Sequence, residues 1–185
     1  MKHLFFFAFL FVLINTTDAQ HQFNNVAGSY GIYGQTGLGH AVGWGDINDD
    51  GLLDLAFSNQ DGSGFWLYRN DDGHFENITS SAGLSGQAVR KIIMADFTGD
   101  YYPEIILRSS SSKIFLNNQD ETFTNITGGS GVFGTVFCAA DFNNDGDLDL
   151  LTYSSGTKVL LNNGDNTFTT LAISTIDDSF YSAVV

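Results

Sequence analysis

Three acidic loops of one pattern recur along the chain and constrain its fold more than any other feature. The third, Asp141–Leu150, reads D-F-N-N-D-G-D-L-D-L, and the first, Asp46–Leu55, reads D-I-N-D-D-G-L-L-D-L. The second, Asp96–Ile105, reads D-F-T-G-D-Y-Y-P-E-I, and the loops begin 50 and then 45 residues apart. Self-similarity at such a period is typical of repeat architectures, in which each repeat is one supersecondary unit.

Each loop presents oxygen-bearing side chains at its positions 1, 3, 5 and 9. They are Asp46, Asn48, Asp50 and Asp54 in the first loop, Asp96, Thr98, Asp100 and Glu104 in the second, and Asp141, Asn143, Asp145 and Asp149 in the third. Hard cations such as Ca²⁺ bind about six to eight oxygens of carboxylates, amides, carbonyls and water. The loops therefore predict calcium sites, although the same composition also favours an ordinary turn between two strands.

The loops differ from EF-hands and also differ among themselves. An EF-hand loop ends in a bidentate Glu at position 12, and that position here is Phe57, Leu107 or Thr152. Gly51 and Gly146 stand at position 6, where glycine adopts a positive φ without steric cost. Tyr101 stands there in the second loop, and a left-handed non-glycine residue costs about 1–2 kcal/mol. We expect the second site to be the weakest of the three.

Short apolar runs around each loop indicate four strands per repeat. In the first repeat these runs are Ala41–Gly45, Leu53–Phe57, Phe65–Tyr68 and His74–Thr79. They are joined by tight turns, and no helical periodicity follows residue 19. A sandwich or a flat solenoid also holds many short strands, but neither demands a four-strand unit. The pattern predicts an all-β chain, an incomplete β-propeller of four-stranded antiparallel blades at about 38–79, 87–127 and 133–172.

Both ends of the sequence predict partial blades. Gln22–Ala27 has the pattern of a fourth strand, and Tyr181–Val185 has the pattern of a first strand in a fourth blade that begins near residue 180. Propellers typically close with about four to eight blades. We expect the chain to be the N-terminal piece of a longer protein, whose remaining blades complete the ring and cover the outer faces of the first and third blades.

The first 19 residues predict a signal peptide. Lys2 and His3 precede the apolar run Leu4–Ile14, which is shorter than the about 20 residues that a membrane-spanning helix needs. The small residue Ala19 suits cleavage before Gln20. We expect a secreted protein, extracellular or at the cell surface, without a membrane span after cleavage.

The charge of the chain is concentrated in the loops. The formal net charge is −14, and eleven of the 21 acidic residues lie in the three loops, where bound cations could neutralise them. This acidity argues against nucleic acid as a partner, because nucleic acids are bound by basic surfaces. Cys138 is the only cysteine, so no intrachain disulfide can form.

The loop D-x-N-x-D-G-x-x-D-L, followed by L-x-N-x-x-G-x-F-x-x-I/L-T, resembles the FG-GAP or VCBS repeat family. It is also similar to the calcium-binding blades of integrin α-subunit propellers, and the likeness covers almost all of residues 20–185. The resemblance implies one Ca²⁺ in the hairpin between the first and second strands of a blade. It adds the backbone carbonyl at position 7 as a ligand, and the residues at that position are Leu52, Tyr102 and Asp147.

The resemblance further implies recognition or adhesion, with a cell-surface or extracellular protein or glycan as partner and no catalysis. The sequence contains no G-x-S-x-G, H-E-x-x-H or glycine-rich phosphate loop. Two alternatives remain open: the propeller of a secreted polysaccharide-degrading enzyme such as a lyase, and an architectural spacer in a larger adhesin. Trp44 and Trp66 lie in strand runs and are predicted to pack in the core, whereas Tyr101 and Tyr102, in a loop, are better placed to bind a ligand.

Overall fold

A computed structural model describes residues 24–32, 39–59 and 64–171, which form three antiparallel sheets of four strands each. The first sheet contains β1 (Gly39–Gly45), β2 (Asp54–Asn59), β3 (Phe65–Asp71) and β4 (His74–Asn77). The second contains β5 (Lys91–Ala95), β6 (Glu104–Arg108), β7 (Ser112–Asn117) and β8 (Phe123–Asn125). The third contains β9 (Thr135–Ala140), β10 (Asp149–Tyr153), β11 (Thr157–Asn162) and β12 (Phe168–Leu171). Strands lie side by side in chain order, which confirms the predicted four-stranded blades of an incomplete propeller.

The three blades pack face to face, and the middle blade is buried on both sides. Ile105 and Ile106 are neighbours on β6 and therefore point to opposite faces, yet both are buried. Ile105 packs in one apolar cluster with Leu67 of the first blade, and Ile106 packs in another with Leu150 of the third. Burying such a side chain contributes about 1.5–3 kcal/mol. Packing between blades is therefore a principal source of stability.

The innermost strands of the first two blades approach each other closely because β1 is rich in glycine. A Cβ on Gly43 would lie 2.7 Å from Cγ2 of Ile92, a separation that real Cβ atoms do not show. Gly43 thus allows β1 and β5 to pack together without a side chain between them.

Trp44 does not pack in the core of the three described blades, where the sequence analysis predicted it. Its side chain is 50% exposed, and Val42 beside it is 58% exposed. Both residues alternate with Gly43, which faces the second blade, so they lie on the outer face of the first blade. Trp66 is half-buried, with its ring centroid 5.3 Å from that of Phe57.

One single helical turn precedes the first blade and another joins the second blade to the third, although the sequence pattern predicted no helix. A 3₁₀ turn spans Ala27–Tyr30 and an α-helical turn spans Thr127–Ser130. Each has only four residues, too few for helical periodicity to be visible. The strand predicted at Gln22–Ala27 is not formed in its described part: residues 24–26 belong to no helix or strand, and Ala27 begins the 3₁₀ turn. The predicted signal peptide, residues 22–23 and the predicted strand Tyr181–Val185 lie outside the described residues.

One glycine after each of these helical turns fixes how the segment packs on a blade. Gly131 has φ +76°, and a Cβ there would lie 2.3 Å from the carbonyl oxygen of Phe168. Gly31 has φ +87°, and a Cβ there would lie 2.2 Å from the carbonyl oxygen of Phe75. Gly31 therefore packs on β4 of the first blade as Gly131 packs on β12 of the third.

Candidate metal centres

The carboxylate at position 1 organises each loop by accepting backbone N–H groups from farther along it. In the first loop, Asp46 accepts hydrogen bonds from the N–H groups of Asp50 (3.1 Å) and Gly51 (2.7 Å). In the third loop, Asp141 accepts them from Asp145 (3.2 Å) and Gly146 (3.0 Å). The side chain of position 1 thus closes the turn around itself.

The second loop follows the same backbone path despite its different sequence. Asp96 accepts hydrogen bonds from the N–H groups of Asp100 (3.2 Å) and Tyr101 (2.9 Å). Tyr101 has φ +74°, which confirms the left-handed conformation predicted for position 6. Position 4 is left-handed too, with φ +75° at Gly99, +56° at Asp49 and +60° at Asn144. The second loop therefore has its glycine at the other left-handed position, which the sequence analysis missed.

The carboxylate at position 9 is buried and joins the loop to the third strand of its blade. Asp54 accepts one hydrogen bond from the N–H of Ile47 (2.8 Å) and one from the N–H of Asn70 (2.7 Å). Asp149 accepts the equivalent bonds from Phe142 (2.9 Å) and Asn162 (2.8 Å). The side chain therefore fixes the register between the loop and the strand that follows.

Glu104 performs the same role with one more methylene group. It accepts hydrogen bonds from the N–H groups of Phe97 (2.8 Å) and Asn117 (3.4 Å). Burial raises the pKa of Glu104 to about 7 and that of Asp54 to about 6, against the hydrogen bonds that lower both. Burial disfavours the ionised carboxylate, and a cation beside it favours that form. These two acids therefore have the electrostatic character of sites that a cation would stabilise.

The repeated loops and strands of this chain match a known family of sequence repeats. The FG-GAP-like repeat matches residues 46–107 and again residues 102–152, together more than half of the chain. The chain belongs to the FG-GAP-like repeat family. No curated protein matches it. The three loops of this FG-GAP-like chain occupy the β1–β2, β5–β6 and β9–β10 hairpins, which are the first hairpins of their blades.

The first FG-GAP-like loop contains an oxygen atom without a partner. Asn48 donates its side-chain N–H groups to Asp50 Oδ2 (2.9 Å) and to Glu121 Oε1 (3.4 Å). Two carboxylate acceptors fix the orientation of the amide, because only its nitrogen can donate. Asn48 Oδ1 is buried and has no hydrogen-bond partner. A buried unpartnered oxygen is costly, and a cation at this position would satisfy it.

Glu121 reaches this loop from the second blade, and sequence reasoning did not find it. Its Oε2 lies 2.9 Å from one guanidinium nitrogen of Arg69. The other terminal nitrogen of Arg69 lies 2.6 Å from Glu76. Glu121 has φ +64°, an uncommon conformation for a glutamate. Arg69 and Glu121 therefore form an ion pair across the blade interface beside the first loop.

In the second and third blades, an asparagine at the end of the third strand links that blade to the FG-GAP-like loop of the preceding one. Asn117 donates its side-chain amide to the carbonyl oxygen of Ile47 (2.9 Å), and Asn162 donates to that of Phe97 (2.7 Å). Both acceptors are position 2 of the loop in the preceding blade. The L-x-N pattern was visible in the sequence, but the contact between repeats was not.

The structure brings some predicted ligands of each loop into hydrogen-bond contact with one another. Within residues 24–32, 39–59 and 64–171, no three His, Cys, Asp or Glu side chains converge closely enough to hold a metal ion. Several loop carboxylates instead accept backbone N–H groups, although each carboxylate oxygen keeps capacity for a second interaction. The donor set still fits a hard cation: carboxylates at positions 1, 5 and 9, an amide or hydroxyl at position 3 and a carbonyl at position 7.

Across those same described ranges, no helix has both the length and the apolar character that crossing a membrane requires.

Proposed function

We propose that the protein is a secreted calcium-binding propeller module that recognises an extracellular protein or glycan without catalysing a reaction. One observation carries the calcium proposal: three loops of different sequence place carboxylates at the same positions on the same backbone path. The orphaned Asn48 Oδ1 supports it independently. A turn that served only to connect strands would not need carboxylates at three positions of one hairpin.

A bound cation has a defined physical role in this proposal. Asp46, Asp50 and Asp54 repel one another within a single hairpin, and a divalent ion removes that repulsion. Because Asp54 also accepts the N–H of Asn70, neutralising the loop stabilises the pairing of the first three strands. Calcium thus supplies the cross-link that a disulfide supplies in many secreted domains.

Secretion and recognition rest on sequence and family. The apolar run Leu4–Ile14 follows Lys2 and His3, as in a signal peptide. FG-GAP-like repeats form propeller blades, and a propeller offers broad surfaces at both ends of its strands. The inference from fold to recognition is by analogy.

Calcium titration by calorimetry tests the calcium proposal. The full chain is expected to bind Ca²⁺ with dissociation constants of about 10⁻⁴–10⁻³ M, as extracellular modules do. Asp46→Asn should remove one binding event because it replaces a carboxylate of the proposed donor set. Asp49→Asn is the matched control, since it removes the same charge from a position-4 residue that is not a proposed ligand. Equal binding by the two variants, or no binding by the parent chain, would contradict the proposal.

A further inference from the structure

The acidic and basic residues of the described chain are segregated to opposite ends of the blades. Every acidic residue in the described ranges lies in or beside the hairpins between first and second strands or between third and fourth strands. All of the basic residues there except Arg69 lie at the opposite end: Arg90, Lys91, Arg108, Lys113 and Lys158. The basic end also carries the hydroxyl-rich hairpins 108–112 and 153–157.

Two of these cations lie side by side at the seam between the second and third blades. Lys91 begins β5, Arg108 ends β6, and they are direct partners in the antiparallel register. Direct cross-strand partners point to the same face, which here is the face toward the third blade. Lys91 Nζ donates to the carbonyl oxygen of Phe137, and the Arg108 guanidinium lies 5.9 Å from the centre of the Phe137 ring.

The pair has no anionic partner within the part of the chain that the structure describes. The ion pairs there involve Arg69 at the other end of the blades. Arg108 Nε is buried without a hydrogen-bond partner. Burial lowers the pKa of Lys91, and the charge of Arg108 lowers it further. The nearby thiol of Cys138 supplies no counter-charge at neutral pH, because burial raises its pKa.

The repeat itself shows that the fold does not need these two cations. Lys91 precedes the second loop by the same number of residues as Ala41 precedes the first, and Arg108 corresponds to Ser58 in the same way. Ala41 and Ser58 are also direct register partners. The first blade therefore has two small neutral residues at the positions where the second blade has two positive charges. Like charges on directly opposite residues of neighbouring strands repel each other.

We propose that Lys91 and Arg108 form a binding site for an oxyanion, a sulfate or carboxylate group carried by an acidic polysaccharide. An oxyanion accepts hydrogen bonds from the Arg108 guanidinium and the Lys91 ammonium together, removing the like-charge repulsion. The serine-rich hairpins of the same end extend the site for a polymer that is both anionic and hydroxylated. This site names the ligand class for the recognition role proposed above, but it does not depend on calcium.

The net charge of −14 makes this site specific rather than general. The overall field of the protein repels polyanions, so binding requires a local arrangement of cations that faces away from the acidic loops. At about 0.15 M ionic strength the Debye length is about 8 Å, which screens the distant loops but not the contact with Lys91 and Arg108.

The experiment is calorimetric titration of the full chain with a dextran sulfate oligomer, an oligogalacturonate and an oligoglutamate peptide of equal charge. Lys91→Gln and Arg108→Gln are each expected to weaken polysaccharide binding about tenfold or more, as loss of a charge-assisted hydrogen bond does. Lys91→Arg retains the charge and should retain binding, which separates loss of the site from loss of the fold. Lys113→Gln is the matched control, since Lys113 is exposed on the opposite face of the same blade and contacts Gln87.

The two polysaccharides distinguish a sulfate from a carboxylate ligand, and tighter binding of either one than of the peptide supports the proposal. Tighter binding of the peptide would overturn it, as would no binding to either polysaccharide. An equal loss in Lys113→Gln and Lys91→Gln would also overturn it, by assigning binding to general charge. Titrations with calcium and with chelator separate the two proposals. Unchanged stability without calcium contradicts only the calcium proposal. Polysaccharide binding that does not depend on Lys91 contradicts only the oxyanion site.

Discussion

The side-chain amide of Asn162 in the third blade donates a 2.7 Å hydrogen bond to the carbonyl oxygen of Phe97 in the acidic loop of the second. The backbone N–H of Asn162 donates at the same time to Asp149 in the loop of its own blade. One buried residue thus connects two neighbouring loops. The conformation of each loop is therefore coupled to the packing between blades.

Replacing Asn162 should destabilise the chain more than replacing its neighbour. Asn162→Ala leaves the Phe97 carbonyl without this donor, and such a loss costs about 1–3 kcal/mol of unfolding free energy. Asn163→Ala is the control, because Asn163 is exposed and bonds only to Thr167 and Thr169 within its own hairpin. Urea unfolding measures both variants, and a loss for Asn163→Ala as large as that for Asn162→Ala would contradict the coupling.

Two glycines of one helical turn should respond to alanine with opposite signs. Gly131→Ala places a Cβ against the Phe168 carbonyl at positive φ, so the unfolding free energy should fall by at least about 1–2 kcal/mol. Gly129→Ala meets no atom within 4 Å and should raise it by about 0.5–1 kcal/mol. Denaturant titration of the pair is the measurement. A neutral Gly131→Ala would show that the segment does not pack on β12 as described.

Tyr101 should be replaceable by glycine with a gain in stability. Its side chain is 78% exposed and its φ is +74°, so Tyr101→Gly removes about 1–2 kcal/mol of strain. The greater freedom of glycine in the unfolded chain returns about 0.5–1 kcal/mol of that gain. Tyr102→Gly is the control and should destabilise, since Tyr102 is half-buried at an ordinary φ. Thermal melting of both decides, and a lower melting temperature for Tyr101→Gly would count against strain at this position.

The sequence predicted the blades because their signals are local and repeated. Apolar runs of period 2 bounded by Asn- and Gly-rich turns mark strands, and three copies in register exclude accidental matches. The strand boundaries found for β1 and β2 differ from those predicted by at most two residues. The two single helical turns were not predicted, because four residues are too few to show helical periodicity.

The contacts between blades could not be predicted in the same way. The exposure of Trp44 depends on which face of β1 meets the second blade, and alternation alone does not reveal that choice. The hydrogen bond from Asn48 to Glu121 joins residues that lie 73 positions apart in the sequence. The cross-strand pair of Lys91 and Arg108 likewise became visible only when the register of β5 and β6 was known.

The central claim is that calcium in the acidic loops stabilises the blades, and the melting temperature of the full chain in excess Ca²⁺ and in excess chelator tests it most directly. The melting temperature should be higher in calcium, because the ion neutralises carboxylates that otherwise repel each other. Asp46→Asn and Asp141→Asn should each reduce that difference more than Asp96→Asn, because Thr98 and Glu104 make the second donor set the poorest match. Identical melting curves of the parent chain in calcium and in chelator would contradict the claim.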